Sequence, residues 1–369
     1  MTEGLPDMFA VIDELVGDRA ESWDLAGRIP SELLRELGAR GLLCSQVGAA
    51  YGGRDLSSHD NGRLTAHTGS RCSSLRSVMT SQGMAAWTIQ RLATPDQSAA
   101  LLPQLVSGQL AAVAFSETDA GSDLSRMATG IRFAGDSIIL EGRKAWVTGA
   151  HYADLLLIFA KCDGGAGVVA VPTSAPGVHV ERVTDPVGCR AAGHAHVRFD
   201  SVRLPASSIL GGPGLSLPLL VTTALAYGRI SVAWGCVGIV RACRNAAARH
   251  ARSRTQFGKP LAEHQLVARH LAELFTAEQV AARVCEHASE CWDAGSPDAV
   301  IATVLAKHVS AGNAAKAAAA AVQVLASAGA RDGHVVARAY RDAKLMEIIE
   351  GSNEICQLIL AEHAVATAV

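Results

Sequence analysis

Residues 111–212 differ from the segments on either side in the spacing of their apolar residues, and this difference restricts the folds open to the 369-residue chain. Within it, short apolar runs typical of strands are separated by Gly, Pro and Asp at close intervals. On both sides, apolar residues recur with helical spacing. The pattern predicts an α+β fold, with an N-terminal helical domain at 1–110, a mostly antiparallel sheet or barrel at 111–212 and a C-terminal four-helix bundle at 213–369.

The C-terminal part contains the longest helical patterns, at about 216–252, 261–294, 297–328 and 336–366. The stretch Leu219–Val240 is also apolar enough, and long enough, to span a bilayer core of about 30 Å. Arg229 lies at its middle, however, and a central arginine costs about 2.5–3.5 kcal/mol in a bilayer. A buried helix of a soluble bundle is the better interpretation, and no membrane partner is expected.

The charge balance and the cysteines argue against several classes of function. The 33 Lys and Arg are balanced by 35 Asp and Glu, so the basic excess of a nucleic-acid or polybasic membrane binder is missing. Nine Cys without a C-x-x-C pair, and no signal-peptide pattern at residues 1–9, favour a cytoplasmic location. His194 and His196 have a metal-like spacing, but no Cys or carboxylate cluster accompanies them in the sequence, so no metal is predicted.

Segment 340–354 carries the most informative chemistry. Glu350 follows the apolar pair Ile348 and Ile349 and precedes Gly351. Partial burial would raise the pKa of this carboxyl and suit it to general acid or base catalysis, and a glycine permits close approach of the backbone to a ligand. On spacing alone, a helix C-terminus with solvated glutamates is the more ordinary interpretation.

Three further segments carry residues suited to binding anions or aromatic rings, at 115–123, 141–149 and 252–260. Each has an ordinary explanation when taken alone. Ser122 belongs to a Gly-Ser turn. Trp146 and Thr148 are two residues apart on a predicted strand, so both should face one side, yet Trp146 could be a core residue. Arg254 has the planar fork that suits a pyrophosphate, but a cation is also favoured at a helix C-terminus.

Taken together and in this order, the four segments resemble the signatures of the acyl-CoA dehydrogenase family over nearly the whole chain. The pair Arg341-Asp342, followed by Glu350-Gly351-Ser352, is similar to the family's arginine–aspartate pair, short helix and glutamate–glycine–threonine. The resemblance implies FAD-dependent oxidation of an acyl thioester with Glu350 as the catalytic base. Some members carry the base just before an arginine on an earlier helix, but this chain has Gly228 there.

The resemblance also implies which residues hold the cofactor. They are Phe115, Ser116, Ser122, Trp146, Thr148, Arg254, Phe257, Gln323, Ser352 and Glu354. Trp146 would pack on the isoalloxazine, Thr148 would bond its polar edge, and Ser122 would reach the pyrophosphate. Arg254 and Gln323, together with the phenylalanine at 257, would contact the FAD of a neighbouring subunit.

A homo-oligomer, either a dimer or a tetramer, is therefore implied. Arg229 and Gly351 are expected at the substrate. In one place the chain departs from the family, because Leu325–Gly329 stands where paired glycines are usual near the cofactor. We therefore expect the backbone to approach FAD less closely at that turn.

Three segments, Ser73–Met84, Gly188–Ala195 and Ala226–Arg229, are similar to family members of polyketide pathways that make hydroxymalonyl or methoxymalonyl extender units. Those enzymes act on a group carried by acyl carrier protein. The implied step oxidises 2-hydroxy-3-oxopropionyl-carrier protein to hydroxymalonyl-carrier protein. The alternatives are α,β-desaturation of a short-chain acyl-CoA or acyl-carrier protein, and a non-enzymatic helical scaffold that has lost the flavin.

Overall fold

The computed structural model describes residues 4–368. Its N-terminal part is helical, as predicted. The helices are α1 (Leu5–Val16), α2 (Ala20–Ala26), α3 (Ser31–Ala39), α4 (Ser58–Arg71), α5 (Ser73–Leu92) and α6 (Pro95–Val106). The start of α6 shows how the sequence sets these bounds, because Thr94 and Gln97 form a reciprocal capping box and Pro95 occupies the first turn. Helix α5 is buried along most of its length.

The middle part is one mixed sheet. Its strands are β1 (Ala111–Ala114), β2 (Gly130–Ala134), β3 (Ser137–Val147), β4 (Leu155–Cys162), β5 (Gly165–Pro172), β6 (Val178–Arg182) and β7 (Ala195–Pro205). Strand β4 pairs in parallel with β1 and, at one residue, with β2. The remaining pairings are antiparallel, which confirms a mostly antiparallel sheet. At the predicted hairpin, Ala134 pairs with Ser137 across a two-residue turn.

The C-terminal part is a helical bundle. Its elements are α7 (Leu217–Ser253), a small hairpin of β8 (Thr255–Gln256) and β9 (Lys259–Pro260), α8 (Gln265–Asp293), α9 (Ala299–Leu325), α10 (Val335–Met346) and α11 (Asn353–Ala366). Helix α7 packs against α4, α5, α8 and α9. By length and composition it could cross a membrane, but 89% of its most apolar window is buried within the protein, as in the core helix of a bundle.

The predicted helix at 336–366 is wrong as a single element. The chain instead forms α10 and α11, separated by residues 347–352. Glu350 has φ 56° and Gly351 has φ 90°, and this left-handed backbone cannot continue a right-handed helix. Ser352 then caps α11, its Oγ accepting a hydrogen bond from the backbone N–H of Ile355 at 3.4 Å. Because Glu350 lies in this break, its side chain does not belong to the regular rows of side chains on α10 or α11.

Candidate active site

Two buried cations hold the backbone of the α10–α11 break. Lys307 on α9 donates hydrogen bonds from Nζ to the carbonyl oxygens of Glu347 at 3.3 Å and Gly351 at 2.6 Å. Arg229 on α7 donates from Nε to the carbonyl of Glu350 at 3.1 Å. Both cations are almost completely buried. These charge-assisted bonds compensate carbonyls that the broken helix leaves free, and they stabilise the left-handed turn.

The Glu350 carboxyl is buried although the residue as a whole is partly exposed. Its Oε2 is inaccessible to solvent and finds no hydrogen-bond partner among residues 4–368. Burial raises the pKa of this carboxyl to about 7, although the charges of Arg229, Lys307 and Arg76 oppose the shift. A carboxyl with a pKa near neutrality is suited to accept a proton at physiological pH.

Gly228 explains why the carboxyl fits where it does. A Cβ atom on this residue of α7 would overlap both Glu350 Oε2 and Met84 Cε. The position at which some family members carry the base is therefore filled, in this chain, by the carboxyl arriving from the α10–α11 break. This space holds one carboxylate. In this chain the carboxylate comes from residue 350 and not from residue 228.

Trp146 and Thr148 lie together at the end of β3, but for a different reason from the one predicted. Trp146 has φ 57°, and the register of β3 with β7 shifts between Lys144 and Val147, so the alternation of a regular strand does not apply there. Both side chains nevertheless contact His194. The Thr148 hydroxyl lies 3.3 Å from Nδ1, and the Trp146 ring centroid lies 6.0 Å from the imidazole. The indole is 54% exposed, an open aromatic face suited to stacking.

His194 was not among the predicted site residues. The residue is only 8% exposed, and its Nε2 is buried without a hydrogen-bond partner among the described residues. Burial, helped by the charge of Arg76, lowers its pKa to about 4, so the imidazole is neutral at physiological pH. In the sequence, His194 stood out for its metal-like spacing to His196 and for lying within the segment Gly188–Ala195, and neither feature predicted a polar contact with Thr148.

A buried ion pair fastens the segment at 115–123 to β3. Lys144 Nζ lies 2.8 Å from Glu117 Oε1 and also donates to the carbonyl of Phe115 at 2.9 Å. Glu117 in turn accepts backbone hydrogen bonds from Ala128 and Thr129. The backbone N–H of residue 145 donates to Ser116 O at 2.8 Å. The two predicted flavin-binding segments are thus positioned as one unit, with Phe115 and Ser116 half-buried and Ser122 exposed at the turn.

The residues predicted to serve a neighbouring subunit's cofactor lie on the surface. Phe257, in the β8–β9 hairpin, is 95% exposed and has φ 52°. Arg254 precedes this hairpin and Gln323 lies near the end of α9, both exposed. Glu354 is exposed in the first turn of α11, next to the capping Ser352. Where the family has paired glycines, Ala326 adopts φ 51°, so the turn keeps a glycine-like backbone without a glycine.

The residues present fit FAD. A dinucleotide flavin needs an aromatic or apolar face for its ring, polar groups for the ring edge, and a cation or backbone donors for its pyrophosphate. Trp146 would supply the exposed face, Thr148 and Ser116 the polar groups, and Arg254 an exposed cation. No group of three or more His, Cys, Asp or Glu that could hold a metal ion occurs within residues 4–368. The chain thus combines helical, sheet and helical regions with a buried glutamate and with groups suited to a flavin. This combination is the one that a flavin-dependent oxidoreductase requires.

Comparison with known proteins gives the same class. Models of the acyl-CoA dehydrogenase N-terminal, middle and C-terminal domains match residues 8–109, 112–202 and 219–365. The chain is 30% identical to the glutaryl-CoA dehydrogenase of Desulfococcus multivorans over 93% of its own length and 90% of that protein. The chain therefore belongs to the acyl-CoA dehydrogenase family, and it is an FAD-dependent oxidoreductase.

Two solved structures indicate which branch of the family the chain is similar to and which cofactor a relative binds. FkbI, described as serving biosynthesis of the methoxymalonyl extender unit of the polyketide Fk520, is 61% identical, with a TM-score of 0.94 over 98% of this chain and 99% of FkbI. A glutaryl-CoA dehydrogenase from Mycobacterium smegmatis in complex with FADH2 is 25% identical, with a TM-score of 0.92 over 100% of this chain and 96% of that one.

Proposed function

We propose that this enzyme oxidises 2-hydroxy-3-oxopropionyl-acyl carrier protein to hydroxymalonyl-acyl carrier protein, in the biosynthesis of a polyketide extender unit, with Glu350 as the base. The observation that carries the proposal is the Glu350 carboxyl, which is buried and unpartnered and has a pKa of about 7. The choice of substrate is supported by the 61% identity to FkbI, whose described role is methoxymalonyl extender-unit biosynthesis.

The chemistry of the substrate suits this site. The aldehyde carbon C3 is the β-carbon of the thioester, and hydration of the aldehyde gives C3 one hydrogen and two hydroxyls. Glu350 accepts the proton of one hydroxyl as the C3–H bond breaks. Bound FAD would supply the two-electron acceptor for the hydride that leaves C3. The products are a C3 carboxylic acid and a protonated Glu350, and the added oxygen comes from the water of hydration.

The residues around Glu350 position it for this transfer. Lys307 and Arg229 fix the carbonyls of the break, so the carboxyl need not reorganise when the substrate binds. We place Arg229 and Gly351 beside the acyl group. The cofactor would be held by the ten residues named from the resemblance, with Arg254, Phe257 and Gln323 reaching the FAD of the next subunit.

We propose a homodimer or homotetramer in the cytoplasm. Members of the family are oligomeric, and exposed apolar side chains on α8, Leu266 at 75% and Phe275 at 53%, offer surface for assembly. The partner that delivers the thioester is an acyl carrier protein rather than free coenzyme A, a proposal that again rests on FkbI.

Product mass tests the reaction. The purified holoenzyme is incubated with carrier protein bearing the three-carbon aldehyde, and the carrier protein is weighed by mass spectrometry. A gain of one oxygen is expected. A carrier protein that never gains oxygen contradicts the proposal, and a loss of two hydrogens from a saturated short acyl thioester would assign desaturation instead. Protein that shows no absorbance near about 450 nm after addition of FAD would indicate the scaffold alternative.

A further inference from the structure

The buried imidazole of His194 contacts two side chains that are predicted to bind the flavin. Its Nδ1 lies 3.3 Å from the Thr148 hydroxyl, and its ring centroid lies 6.0 Å from that of Trp146. Nε2, on the other side of the imidazole, is buried and has no hydrogen-bond partner within residues 4–368. The only hydrogen bond of this ring within the described residues is therefore the one to Thr148.

The backbone on both sides of this contact is fixed. The N–H groups of Gly149 and His151 donate to the carbonyls of Ala192 and Gly193, each at 3.1 Å. Gly193 has φ 67°, and a Cβ on it would overlap the ring of Tyr152, so the chain needs a glycine directly before the histidine. The distance between the imidazole and the threonine hydroxyl is therefore set by the surrounding backbone.

The unpaired Nε2 indicates which ring nitrogen of His194 carries the proton. Burial lowers the pKa of the imidazole to about 4, so the ring is neutral near pH 7 and has a single N–H. A buried N–H without an acceptor is rarer in folded proteins than an acceptor without a donor. We therefore assign the proton to Nδ1, where Thr148 Oγ1 accepts it. The threonine then keeps its own O–H proton for another partner.

We propose that His194 is a positioning residue for the flavin, which donates from Nδ1 to Thr148 and thereby directs the threonine O–H proton to an acceptor at the polar edge of the ring. This inference rests on the proposed function, in which Thr148 bonds that edge. Oxidised isoalloxazine presents carbonyl oxygens and unprotonated ring nitrogens there, so a hydroxyl fixed as a donor suits it. A threonine free to rotate would direct its proton elsewhere for part of the time, and ordering it on binding costs free energy.

A double-mutant cycle on the FAD-loaded enzyme tests the proposal. His194→Leu keeps a buried side chain without a donor, and Thr148→Val removes the hydroxyl. The dissociation constant for FAD is measured from flavin fluorescence as the holoenzyme is diluted. Each single variant should raise this constant by about 3- to 10-fold, as expected for one hydrogen bond. The double variant should bind FAD no more weakly than Thr148→Val alone, because the histidine acts through that hydroxyl.

The midpoint potential of the bound flavin separates positioning from a structural role. A hydrogen bond to the ring edge changes the relative stability of oxidised and reduced flavin, and lost packing away from the ring has no such direct effect. His194→Leu and Thr148→Val should therefore shift the potential in the same direction, and the double variant should show the shift of Thr148→Val alone. His194→Asn places an amide N–H near the position of Nδ1 and should restore part of the potential and of the FAD affinity.

His179→Leu, at an exposed position of β6, is the matched control and should change neither quantity. If His194→Leu does not fold, His194→Gln takes its place in the cycle, because its amide reaches the position of Nε2 rather than that of Nδ1. Two results would overturn the inference. One is an effect of the histidine substitution that persists in full in the Thr148→Val background, and the other is natural FAD affinity and potential in His194→Leu.

The outcome of the cycle is independent of the outcome for the reaction. If the cycle shows no coupling but the natural holoenzyme oxidises the carrier-bound aldehyde, the proposed function stands and the positioning role is refuted. Coupling between His194 and Thr148 in an enzyme that leaves this aldehyde unchanged would support the positioning role and refute the particular reaction.

Discussion

The two halves of the candidate site are built differently. Around Glu350, the groups that matter are buried and held within one chain by Lys307 and Arg229. On the cofactor side, Trp146 is 54% exposed and Phe257 is 95% exposed, and Arg254 is also at the surface. The first half is completed by folding of one chain, whereas the second consists of exposed side chains that we propose bind FAD and meet a neighbouring subunit. On these proposed roles, the fold of one chain would fix the proton chemistry, and retention of the cofactor would depend on assembly.

The largest effect should come from the buried half. Replacing Glu350→Gln keeps the size of the side chain and removes the base, so turnover should fall by about 10²- to 10⁴-fold. Flavin content should stay unchanged, because the cofactor half is untouched. Steady-state rates and the flavin-to-protein absorbance ratio measure the two quantities. Glu362→Gln on the exposed end of α11 is the control and should keep full activity.

A substitution in the exposed half should weaken FAD binding and leave turnover at saturating FAD nearly unchanged. Arg254→Met removes a surface cation proposed to face the pyrophosphate, so the dissociation constant for FAD should rise by about 10- to 100-fold. Turnover at saturating FAD should be close to that of the natural protein. Arg252→Met, two residues earlier on α7, is the matched control. If FAD affinity were unaffected by Arg254→Met while turnover collapsed, the division between the halves would be wrong.

The burial of Glu350 also predicts a pH-dependent stability. Its pKa is about 7 in the folded protein against an ordinary 4.5, because burial disfavours the carboxylate. The folded protein thus keeps a proton that the unfolded chain releases, so the contribution of this group to stability is lost as pH rises from about 4.5 to about 7. Relative to the natural protein, Glu350→Gln should gain roughly 2–3 kcal/mol between about pH 5 and pH 8. Thermal unfolding at the two pH values, with FAD present, checks this prediction, and a constant difference would show that the carboxyl is solvated.

The smallest effect is expected at Ala326, in the turn where the family usually has paired glycines. Ala326 follows α9 with φ 51°, a conformation that costs a residue with a Cβ roughly 1–2 kcal/mol. Ala326→Gly should therefore stabilise the folded protein by about 1 kcal/mol, since part of the relief is offset by the greater freedom of glycine in the unfolded chain. Denaturant unfolding measures the change. A destabilisation would mean that the alanine methyl makes contacts that outweigh the backbone strain.

The sequence predicted the three-part order of helices and sheet and the family, because periodicity and short motifs are local properties, whereas the assignment of individual site residues stays a prediction. It did not predict the break before α11, since a left-handed Glu350 depends on distant cations at 229 and 307. The bulge at Trp146 and the partner of Thr148 were also missed, because neither the positive φ of a tryptophan nor the burial of His194 follows from nearby residues.

The central claim is that a buried carboxyl of near-neutral pKa takes the substrate's proton while the flavin is reduced. The most direct measurement is the rate at which flavin absorbance near about 450 nm bleaches when the carrier-protein thioester is mixed with enzyme under anaerobic conditions across pH. The natural protein should bleach faster as pH rises through about 7, and Glu350→Gln should bleach slowly without that dependence. Equal rates for the two proteins, with flavin bound in both, would contradict the account.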